Sequence, residues 1–401
     1  MALLPVADAL RLLLDGAMPL ASERVALHEA AGRVLAGPLM ALRTQPPFDA
    51  SAMDGYAVRV ADVAKVPVRL DVIGVSAAGR GYRGELAQGQ AVRILTGAPM
   101  PEGADTIVIQ ENTRPLGSNA IEVFETVAAG RHIRRRGLDF SEGEKLLDQS
   151  RVLGAAALSL AASANHAVLD VVVRPLVAII ATGDELLPPG SELGPDQIIS
   201  SNAYGVAAIA AAAGARVLDL GIVGDDRDAT AARLAEATQA GADVVVTLGG
   251  ASVGDHDLVH EVLGWQGVKL DFWKIAMRPG KPLMFGRRGK TRFIGMPGNP
   301  VASLVCSHLF LKPLVAQLGA HKGEHDIRPA VLGAAMPAND LRQDYVRAKI
   351  DIVNGQLTAT PFGIQDSSML RILADSGGLI IREPFAPAAE TGASCMVLML
   401  R

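Results

Sequence analysis

The sequence predicts a multidomain α/β plus β protein, in which one helix-covered sheet is flanked by smaller domains. Its 401 residues correspond to about two to four domains of roughly 100–200 residues each. Between residues 174 and 320, buried strands alternate with alanine-rich helices, which indicates a parallel sheet covered by helices. On both sides of that region, short runs of β-branched residues are separated by glycine and proline, which is typical of small β domains.

The central region has the most regular pattern. A continuous apolar run predicts a strand at 176–181, and further strands are predicted at 216–221, 243–248 and 292–295. Alanine-rich stretches that end at a glycine predict helices at 204–213 and 229–240. Ligands of such sheets bind beyond the carboxyl ends of the strands. The polar segments 182–185 and 247–257 both follow strand ends, so we expect the binding site there.

The flanking regions predict three further parts. Strand-like runs at 66–74, 91–95, 106–111 and 120–124 indicate an inserted small β domain. Helical patterns at 6–15, 27–36 and 153–165 indicate a discontinuous helical domain into which that β domain is inserted. A linker is predicted at 313–328, followed by a C-terminal β-barrel-like domain. The predicted domain bounds are therefore 1–43 with 139–173, 44–138, 174–320, and 328–401.

Composition excludes several classes of protein. The net charge of −4 argues against a nucleic-acid-binding protein, which usually has a basic excess. Two cysteines, Cys306 and Cys395, cannot form a disulfide framework or a four-cysteine zinc site. The sequence contains no uncharged run of about 18 apolar residues, so no membrane span is expected. Residues 1–14 lack the features of a signal peptide. We therefore expect a soluble cytoplasmic protein that binds neither nucleic acid nor membrane.

The segment 247–257 is the strongest candidate for an anion site. Gly249, Gly250 and Gly254 allow a ligand to approach the backbone, and successive N–H groups can surround a phosphate. Ser252 can add a hydroxyl donor. The carboxylate of Asp257 (like that of Asp255) would suit Mg²⁺ beside a phosphate. The alternative is a tight loop leading into a helix.

Two other segments offer donors at the predicted helix starts. Thr182 and Glu185 follow the first strand of the α/β region, and Ser201 with Asn202 precedes a helix. A helix N-terminus favours an anion. Simple capping of the helix by these side chains is an equally good interpretation of the pattern.

Two rigid loops present further polar groups. Lys274, Arg278 and Lys281 lie among prolines and glycine, where cations can be held toward an oxyanion, although such cations usually mark a solvated face. Asn299 lies between Pro297 and Pro300, where its amide can reach a ligand. The alternative for this second loop is a plain strand-to-helix turn.

Outside the α/β region, polar residues cluster in three segments. Residues 48–57 place Asp49, Ser51 and Asp54 among small apolar residues, as in the lining of a cleft. Thr96 follows in 96–99. The basic run beginning at Arg134 ends at Asp139, although a basic run is more often a solvated edge.

Taken together, these segments resemble the molybdopterin molybdenumtransferase family, which includes bacterial MoeA and the E domain of gephyrin. Seven segments match in order along nearly the whole chain: 48–57, 93–99, 134–139, 181–186, 247–257, 273–282 and 297–301. The resemblance implies a four-part, elongated homodimer whose α/β domain is a three-layer domain of the molybdopterin-binding type. It also implies an active cleft between that domain and other domains of the partner subunit.

The resemblance further implies a reaction and a set of site residues. The substrates would be adenylylated molybdopterin and molybdate, the products molybdenum cofactor and AMP, and the metal ion Mg²⁺. Other cofactor-biosynthesis proteins are expected as partners. The residues with an implied catalytic role are Asp54, Thr96, Asp139, Glu185, Asp225 and Asp257. Three of these, Glu185, Asp225 and Asp257, are also candidate Mg²⁺ ligands. Substrate binding falls on Arg134, Thr182, Ser201, Asn202, Gly249, Gly250, Ser252, Gly254, Lys274, Arg278, Lys281, Pro297, Asn299, Pro300 and Ser367, with Ser368 as the alternative to Ser367.

Four positions depart from the family pattern. Ala50 replaces a usual Asn, Arg278 a common Lys, Asp366 a usual Gly, and Gly377 a frequent Asn. Arg342 and Arg347, on either side of Tyr345, fit the family pattern.

Two other functions remain open at the level of sequence. An adenylyltransferase that makes the activated pterin would need only the α/β region. A non-catalytic pterin carrier or scaffold is suggested by the likeness to gephyrin.

Overall fold

The computed structural model describes residues 3–250, 258–321 and 323–400. The chain divides into two compact units, one formed by residues 1–23, 32–34 and 171–401 and the other by residues 24–31 and 35–170. The α-helices are α1 (Val6–Leu14), α2 (Ala155–Ser163), α3 (Asn202–Ala212), α4 (Arg227–Gln239), α5 (Leu258–Trp265), α6 (Pro300–Cys306), α7 (Lys312–Leu318) and α8 (Leu370–Asp375).

The strands before residue 173 are short. They are β1 (Ser22–Ala26), β2 (Leu39–Met40), β3 (Ala50–Ser51), β4 (Gly55–Val58), β5 (Val68–Ser76), β6 (Gln90–Ile94), β7 (Thr106–Ile109), β8 (Thr113–Pro115), β9 (Ala120–Val123), β10 (Ile133–Arg134), β11 (Lys145–Leu147) and β12 (Val168–Val172). Six of them form a sheet in the order β7-β4-β6-β5-β9-β8, in which only β5 and β6 are parallel neighbours. The predicted small β domain is therefore confirmed.

The later strands build the larger unit. They are β13 (Leu176–Thr182), β14 (Leu186–Leu187), β15 (Ile198–Ile199), β16 (Arg216–Val223), β17 (Val244–Leu248), β18 (Lys269–Phe272), β19 (Met277–Arg278), β20 (Met284–Arg288), β21 (Thr291–Met296), β22 (Ile327–Leu332), β23 (Gln343–Val353), β24 (Gln356–Pro361), β25 (Gly378–Arg382) and β26 (Ser394–Met399).

The α/β sheet has the order β16-β13-β17-β21-β20-β18. Its first four strands are parallel, whereas β20 and β18 are antiparallel additions. Alternate side chains of β13 and β17 pack on opposite faces, because successive residues of a strand point to opposite sides. One face is covered by α1, α3, α6 and α7, and the other by α4 and α5. The predicted three-layer architecture is confirmed, with two antiparallel strands that the prediction did not include.

The C-terminal region forms a closed five-stranded barrel. The order β23-β24-β22-β26-β25 returns to β23, so no edge strand is left within the barrel. The short strand β19, from the α/β region, pairs with β23 in parallel, Met277 opposite Gln343 and Arg278 opposite Asp344. A loop of the α/β domain is thus hydrogen bonded to the barrel.

Two predicted elements are wrong. The helix expected at 27–36 is a single 3-10 turn, Leu27–Glu29. Its backbone groups bond to distant segments, Leu27 N to Ala167 O at 2.9 Å and Leu35 N to Arg151 O at 3.0 Å, which replaces helical bonding. The linker expected at 313–328 begins with the helical residues of α7. Pro313 lies in the first turn of that helix, where a backbone N–H would have no partner within the helix and proline is therefore tolerated.

One helical stretch, Pro300–Leu318, is long and apolar enough to cross a membrane by length and composition alone. In the structure it is a core helix, since 78% of its apolar window is buried inside the protein. It contains a π-helical turn at Ser307–Leu311.

Candidate active site

A large cavity opens at the carboxyl ends of β13, β16, β17 and β21. Its volume is about 1300 Å³. Loops that follow adjacent parallel strands meet at the same edge of the sheet, which is where α/β proteins bind ligands. Ten of the residues predicted from sequence line it together: Thr182, Glu185, Ser201, Asn202, Asp225, Gly249, Gly250, Pro297, Asn299 and Pro300.

The glycine pair after β17 needs to be glycine for two reasons. Gly249 and Gly250 have φ of +97° and +62°, a region that side-chain-bearing residues rarely adopt. A Cβ atom on Gly249 would lie 2.6 Å from the carbonyl oxygen of Thr182, and one on Gly250 would collide with Val259. The backbone of this loop is thus held against β13. The predicted site residues Ser252, Gly254 and Asp257 lie outside the described residues.

Two helix N-termini at the cavity lack a side-chain cap. Neither Ser201 before α3 nor Asn299 before α6 caps its helix through its side chain. Asn202 Nδ2 instead donates to Gly298 O at 2.7 Å, and Asn299 Nδ2 donates to Ser367 Oγ at 2.9 Å. These amides join neighbouring loops, so the first-turn N–H groups of α3 remain suited to an anion. At α6, Pro300 has no N–H and Val301 N already donates to Ser367 O at 3.0 Å.

Three carboxylates lie together beside β13 and β16. Asp184 Oδ1 accepts a hydrogen bond from Asp225 N at 2.9 Å, so Asp184 ties two loops together rather than capping a helix. The Glu185 carboxylate lies over Gly183, where an added Cβ would collide with it. Burial, and then repulsion from Asp184 and Glu185, raises the pKa of Asp225. A cation would relieve that repulsion.

A second cavity of about 620 Å³ lies between the α/β region and the barrel. Its lining includes Arg278 and Arg347. The Arg278 guanidinium contacts three acceptors, namely the Asp344 carboxylate, Asp340 Oδ2 at 3.3 Å and Asn339 Oδ1 at 3.3 Å. These contacts hold Arg278 in one place at the cavity wall.

Arg347 is only 1% exposed, and among the described residues its charge is attracted by the Asp366 carboxylate without a direct ion pair. Its Nε donates to Gln365 Oε1 at 3.1 Å and its Nη1 to the backbone oxygen of Asp366 at 2.6 Å. Burial lowers the pKa of this guanidinium. The attraction of the Asp366 carboxylate does not outweigh the burial of this guanidinium, so an anionic ligand in this cavity would stabilise it further.

The two other predicted cations lie elsewhere. Lys274 Nζ stands 5.0 Å from the ring centroid of Trp273, and Lys281 is exposed. In the described parts of the chain, neither lysine lines either cavity. Ser367 holds Asn299, while its neighbour Ser368 lines the larger cavity.

The three polar segments predicted outside the α/β region, 48–57, 96–99 and 134–139, contact one another in the smaller unit. Thr96 donates to Asp54 Oδ1 through both its backbone N (2.7 Å) and its hydroxyl (2.8 Å), and these bonds lower the pKa of Asp54. The strands β3 and β10 pair with Arg134 opposite Ala50. The exposed Asp139 side chain has no hydrogen-bond partner among the described residues.

Comparison with known proteins assigns the family. The MoeA N-terminal region (domain I and II) matches residues 4–165, a probable molybdopterin binding domain matches 178–317, and the MoeA C-terminal region (domain IV) matches 329–400. The molybdopterin molybdenumtransferase of Nostoc sp. is 36% identical over 94% of this chain and 89% of its own length. The chain belongs to the MoeA family of molybdopterin molybdenumtransferases.

Other relatives agree with this family. The molybdopterin molybdenumtransferase of Bacillus subtilis is 36% identical over 99% of this chain and 94% of its own length. A crystal structure of the MoeA protein from Pyrococcus horikoshii matches all of both chains with a TM-score of 0.86 at 27% identity. Membership of the MoeA family gives the chain a role in molybdenum cofactor biosynthesis.

The departures from the MoeA pattern have local explanations. The Asp366 carboxylate accepts hydrogen bonds from Ser368 N at 2.8 Å and Ser368 Oγ at 2.6 Å, which lower its pKa. The carboxylate is therefore held within its own turn. Ala50 is buried between Arg134 and Pro99 as a strand partner. At Gly377 a Cβ atom would lie 3.0 Å from the Cβ of Ile350, so a small residue fits best.

Sequence reasoning missed part of the cavity wall. Asp226, Arg227, Glu261 and Trp265 also line the larger cavity. The spacing of Leu258, Glu261 and Trp265 (i, i+3, i+7) was a signal that these side chains share one helix face.

Proposed function

We propose that this chain transfers molybdenum from molybdate to adenylylated molybdopterin and releases AMP. Water would cleave the bond that joins the AMP phosphate to the pterin phosphate, yielding AMP and the free pterin phosphate. The two thiol groups of the pterin would each replace one oxygen of molybdate. The thiol protons leave with that oxygen as water or hydroxide, and the oxidation state of molybdenum does not change.

The observation that carries the proposal is that two segments link the two cavities. Arg278 lines the smaller cavity, and Pro282 of the same loop lines the larger one. In the barrel region, Gln365 lines the smaller cavity and Ser368 the larger. The two cavities therefore adjoin, which supports a reaction between a phosphorylated pterin bound in the larger one and molybdate bound in the smaller one.

Molybdate is a tetrahedral dianion that needs cationic and neutral donors. The buried guanidinium of Arg347 supports its binding in the smaller cavity, and Arg278 adds a guanidinium at the wall. We propose that Lys274, Lys281 and Ser367 or Ser368 act nearby. The prediction of Lys274 and Lys281 rests on the family resemblance.

We propose Mg²⁺ as the metal ion, held by Glu185 and Asp225 with Asp257 as the third predicted ligand. Within the described residues no three carboxylate, histidine or cysteine side chains are arranged as a ready-made metal site. Mg²⁺ usually binds through one or two carboxylates together with substrate phosphates and water. The raised pKa of Asp225, beside Asp184 and Glu185, fits such a partial site. When bound, the ion would neutralise charge on the pyrophosphate.

The structure favours this reaction over the two alternatives. An adenylyltransferase would have no use for the cavity around Arg347, which the barrel helps to form. A passive carrier would have no need for an acidic cluster next to its phosphate site, because carboxylates repel phosphate unless a cation is bound between them.

We also propose a cytoplasmic homodimer with the four-part division 1–43 with 139–173, 44–138, 174–320 and 328–401. On the family resemblance, Asp54, Thr96, Asp139 and Arg134 would act in a cleft that a partner subunit completes. Other proteins of cofactor biosynthesis are proposed as further partners.

The proposal is tested by measuring AMP release from adenylylated molybdopterin. We expect release that needs both Mg²⁺ and molybdate, together with formation of active molybdenum cofactor. Glu185→Gln should reduce the rate by roughly 10²-fold or more, as expected for loss of electrostatic stabilisation, and raise the Mg²⁺ concentration needed for half-maximal rate. The control Glu236→Gln changes an exposed carboxylate paired with Arg233 on α4 and should be neutral. AMP release independent of molybdate and Mg²⁺ would contradict the proposal.

A further inference from the structure

One end of the larger cavity is lined by a single face of α5. Leu258, Glu261 and Trp265 lie on that face and all line the cavity. The opposite face of the helix packs into the core of the sheet through Val259, Val262 and Leu263. Trp265 is 61% exposed, and it is the only aromatic side chain among the described residues that line this cavity. A large flat apolar surface is therefore offered to the cavity.

A neighbouring ion pair lies over one face of the Trp265 ring. The guanidinium carbon of Arg227 lies 5.7 Å from the ring centroid, and Arg227 Nη2 is 2.8 Å from Glu261 Oε2. Because stacked carbon atoms need about 3.5–4.0 Å between layers, no second ring fits between the guanidinium and the indole. A planar ligand must stack on the other ring face.

The arrangement of the sheet decides which ring of the substrate is placed there. α4 and α5, which carry Arg227 and Trp265, cover one face of the sheet, whereas α3 and α6 cover the other. The smaller cavity is reached through Ser368, in the segment whose Ser367 backbone oxygen accepts from Val301 N of α6 at 3.0 Å. In the proposed reaction, the pterin sulfurs face that side to receive the metal. The nucleoside then extends toward α5.

We infer that Trp265 is the stacking surface for the adenine ring of the adenylylated substrate, with Arg227 and Glu261 as positioning residues. The inference rests on the proposed function, because it assigns one ring of that substrate to the α5 end of the cavity. It adds a base-binding subsite to a cavity that otherwise binds phosphate and a metal ion.

The inference is tested by tryptophan fluorescence, because the chain has only two tryptophans, Trp265 and Trp273. Trp273→Phe leaves Trp265 as the only tryptophan, and Trp265→Phe leaves Trp273. We expect AMP to quench the emission of Trp265 in the first variant and to leave the emission of Trp273 unchanged in the second. Ribose 5-phosphate, which lacks the base, should quench neither. Quenching of Trp265 by ribose 5-phosphate, or by a pterin phosphate but not by AMP, would overturn the inference.

Calorimetry with AMP gives a second measurement. Trp265→Ala should weaken AMP binding by roughly 5- to 150-fold, the range for loss of one base–aromatic stack, while Trp265→Phe should retain most of the affinity. Binding of ribose 5-phosphate should be the same in both variants and in the unmodified protein, which also confirms that they are folded. Unchanged AMP affinity in Trp265→Ala would remove the subsite.

The result separates this inference from the proposed reaction. If AMP binds on Trp265 but no AMP is released from the adenylylated substrate, the proposed reaction fails and the subsite stands. If turnover depends on Mg²⁺ and molybdate but Trp265→Ala leaves AMP affinity and KM unchanged, the subsite alone is wrong.

Discussion

Thr96 donates two hydrogen bonds to one oxygen of Asp54, from its backbone N at 2.7 Å and from its hydroxyl at 2.8 Å. The two residues are 42 positions apart in the chain, and each lies in a different segment that resembles the MoeA pattern. Both donors favour the ionised carboxylate, so they lower the pKa of Asp54.

Thr96→Val should raise the pKa of Asp54, because it removes the hydroxyl donor and keeps the backbone donor. If Asp54 acts as a carboxylate, the acid limb of the pH profile of kcat/KM should move to higher pH. The rate at neutral pH should fall about two- to tenfold, the usual effect of one lost hydrogen bond. A carboxyl NMR titration and the pH profile measure the two effects.

A matched control is Thr113→Val, which removes a hydroxyl bond to Gln110 O (2.8 Å) in the same unit. It should leave the pH profile unchanged. An acid limb that does not move in Thr96→Val would show that this hydroxyl does not tune Asp54.

Gly249→Ala should destabilise the protein more than alanine does at an equally left-handed but open turn. The backbone strain costs roughly 1–3 kcal/mol, and the new Cβ would also meet Thr182 O at 2.6 Å. Gly190 provides the comparison, since its φ is +90° and no atom lies within 4 Å of the added Cβ. Urea unfolding of both variants measures the difference, and equal losses of unfolding free energy would show that contact with Thr182 is unimportant.

Arg347→Lys should raise the KM for molybdate by about tenfold or more. A lysine cannot keep the contacts to both Gln365 and Asp366 that hold the guanidinium, and a hydrogen bond to a charged group contributes about 1.5–3 kcal/mol. Initial rates at varied molybdate, with the pterin substrate saturating, give the KM. Arg328→Lys, at an exposed arginine of the same barrel, is the control. A change in kcat alone would place Arg347 outside molybdate binding.

His308 should make the protein less stable in mild acid. Burial, with Lys312 and His325 nearby, lowers the pKa of His308 from 6.5 to about 4. Between these values the unfolded chain binds a proton that the folded chain does not, so the free energy of unfolding falls as pH decreases from 6.5 toward 4. Above pH 6.5 this contribution is constant. The full loss is about 3 kcal/mol, since each pKa unit corresponds to about 1.4 kcal/mol.

His308→Leu should flatten the dependence of unfolding free energy on pH between 4 and 6.5, as measured by denaturant titration at several pH values. His28→Leu, at an exposed histidine of the smaller unit, should leave the slope unchanged. The same slope in His308→Leu as in the unmodified protein would assign the acid sensitivity to other groups.

The α/β domain could be predicted from sequence because its strands are buried on both sides. Such strands are continuous apolar runs, as in Leu176–Thr182 and Val244–Leu248, and their carboxyl ends must meet at one edge. This geometry brought ten predicted residues into one cavity. The region at 27–36 failed because its bonds go to residues more than a hundred positions away, which local patterns do not contain.

The side-chain partners could not be predicted from sequence. Arg278 was predicted as a free cation facing an oxyanion, but it contacts Asp344, 66 residues later in the chain. That contact depends on the pairing of β19 with β23, which is a property of the barrel and not of either segment alone. For the same reason, the bond between Asp184 and the backbone of Asp225 was not expected from the two loops.

The pairing of β19 with the barrel has a consequence for substrate length. Arg278 at the wall of one cavity and Pro282 at the wall of the other are four positions apart, a length of chain that spans at most about 14 Å. Because β19 is hydrogen bonded to β23, this short tether cannot swing away from the barrel. The two cavities are thus held close together, and under the proposed function a pterin whose phosphate and sulfur groups stand further apart than their spacing cannot occupy both at once.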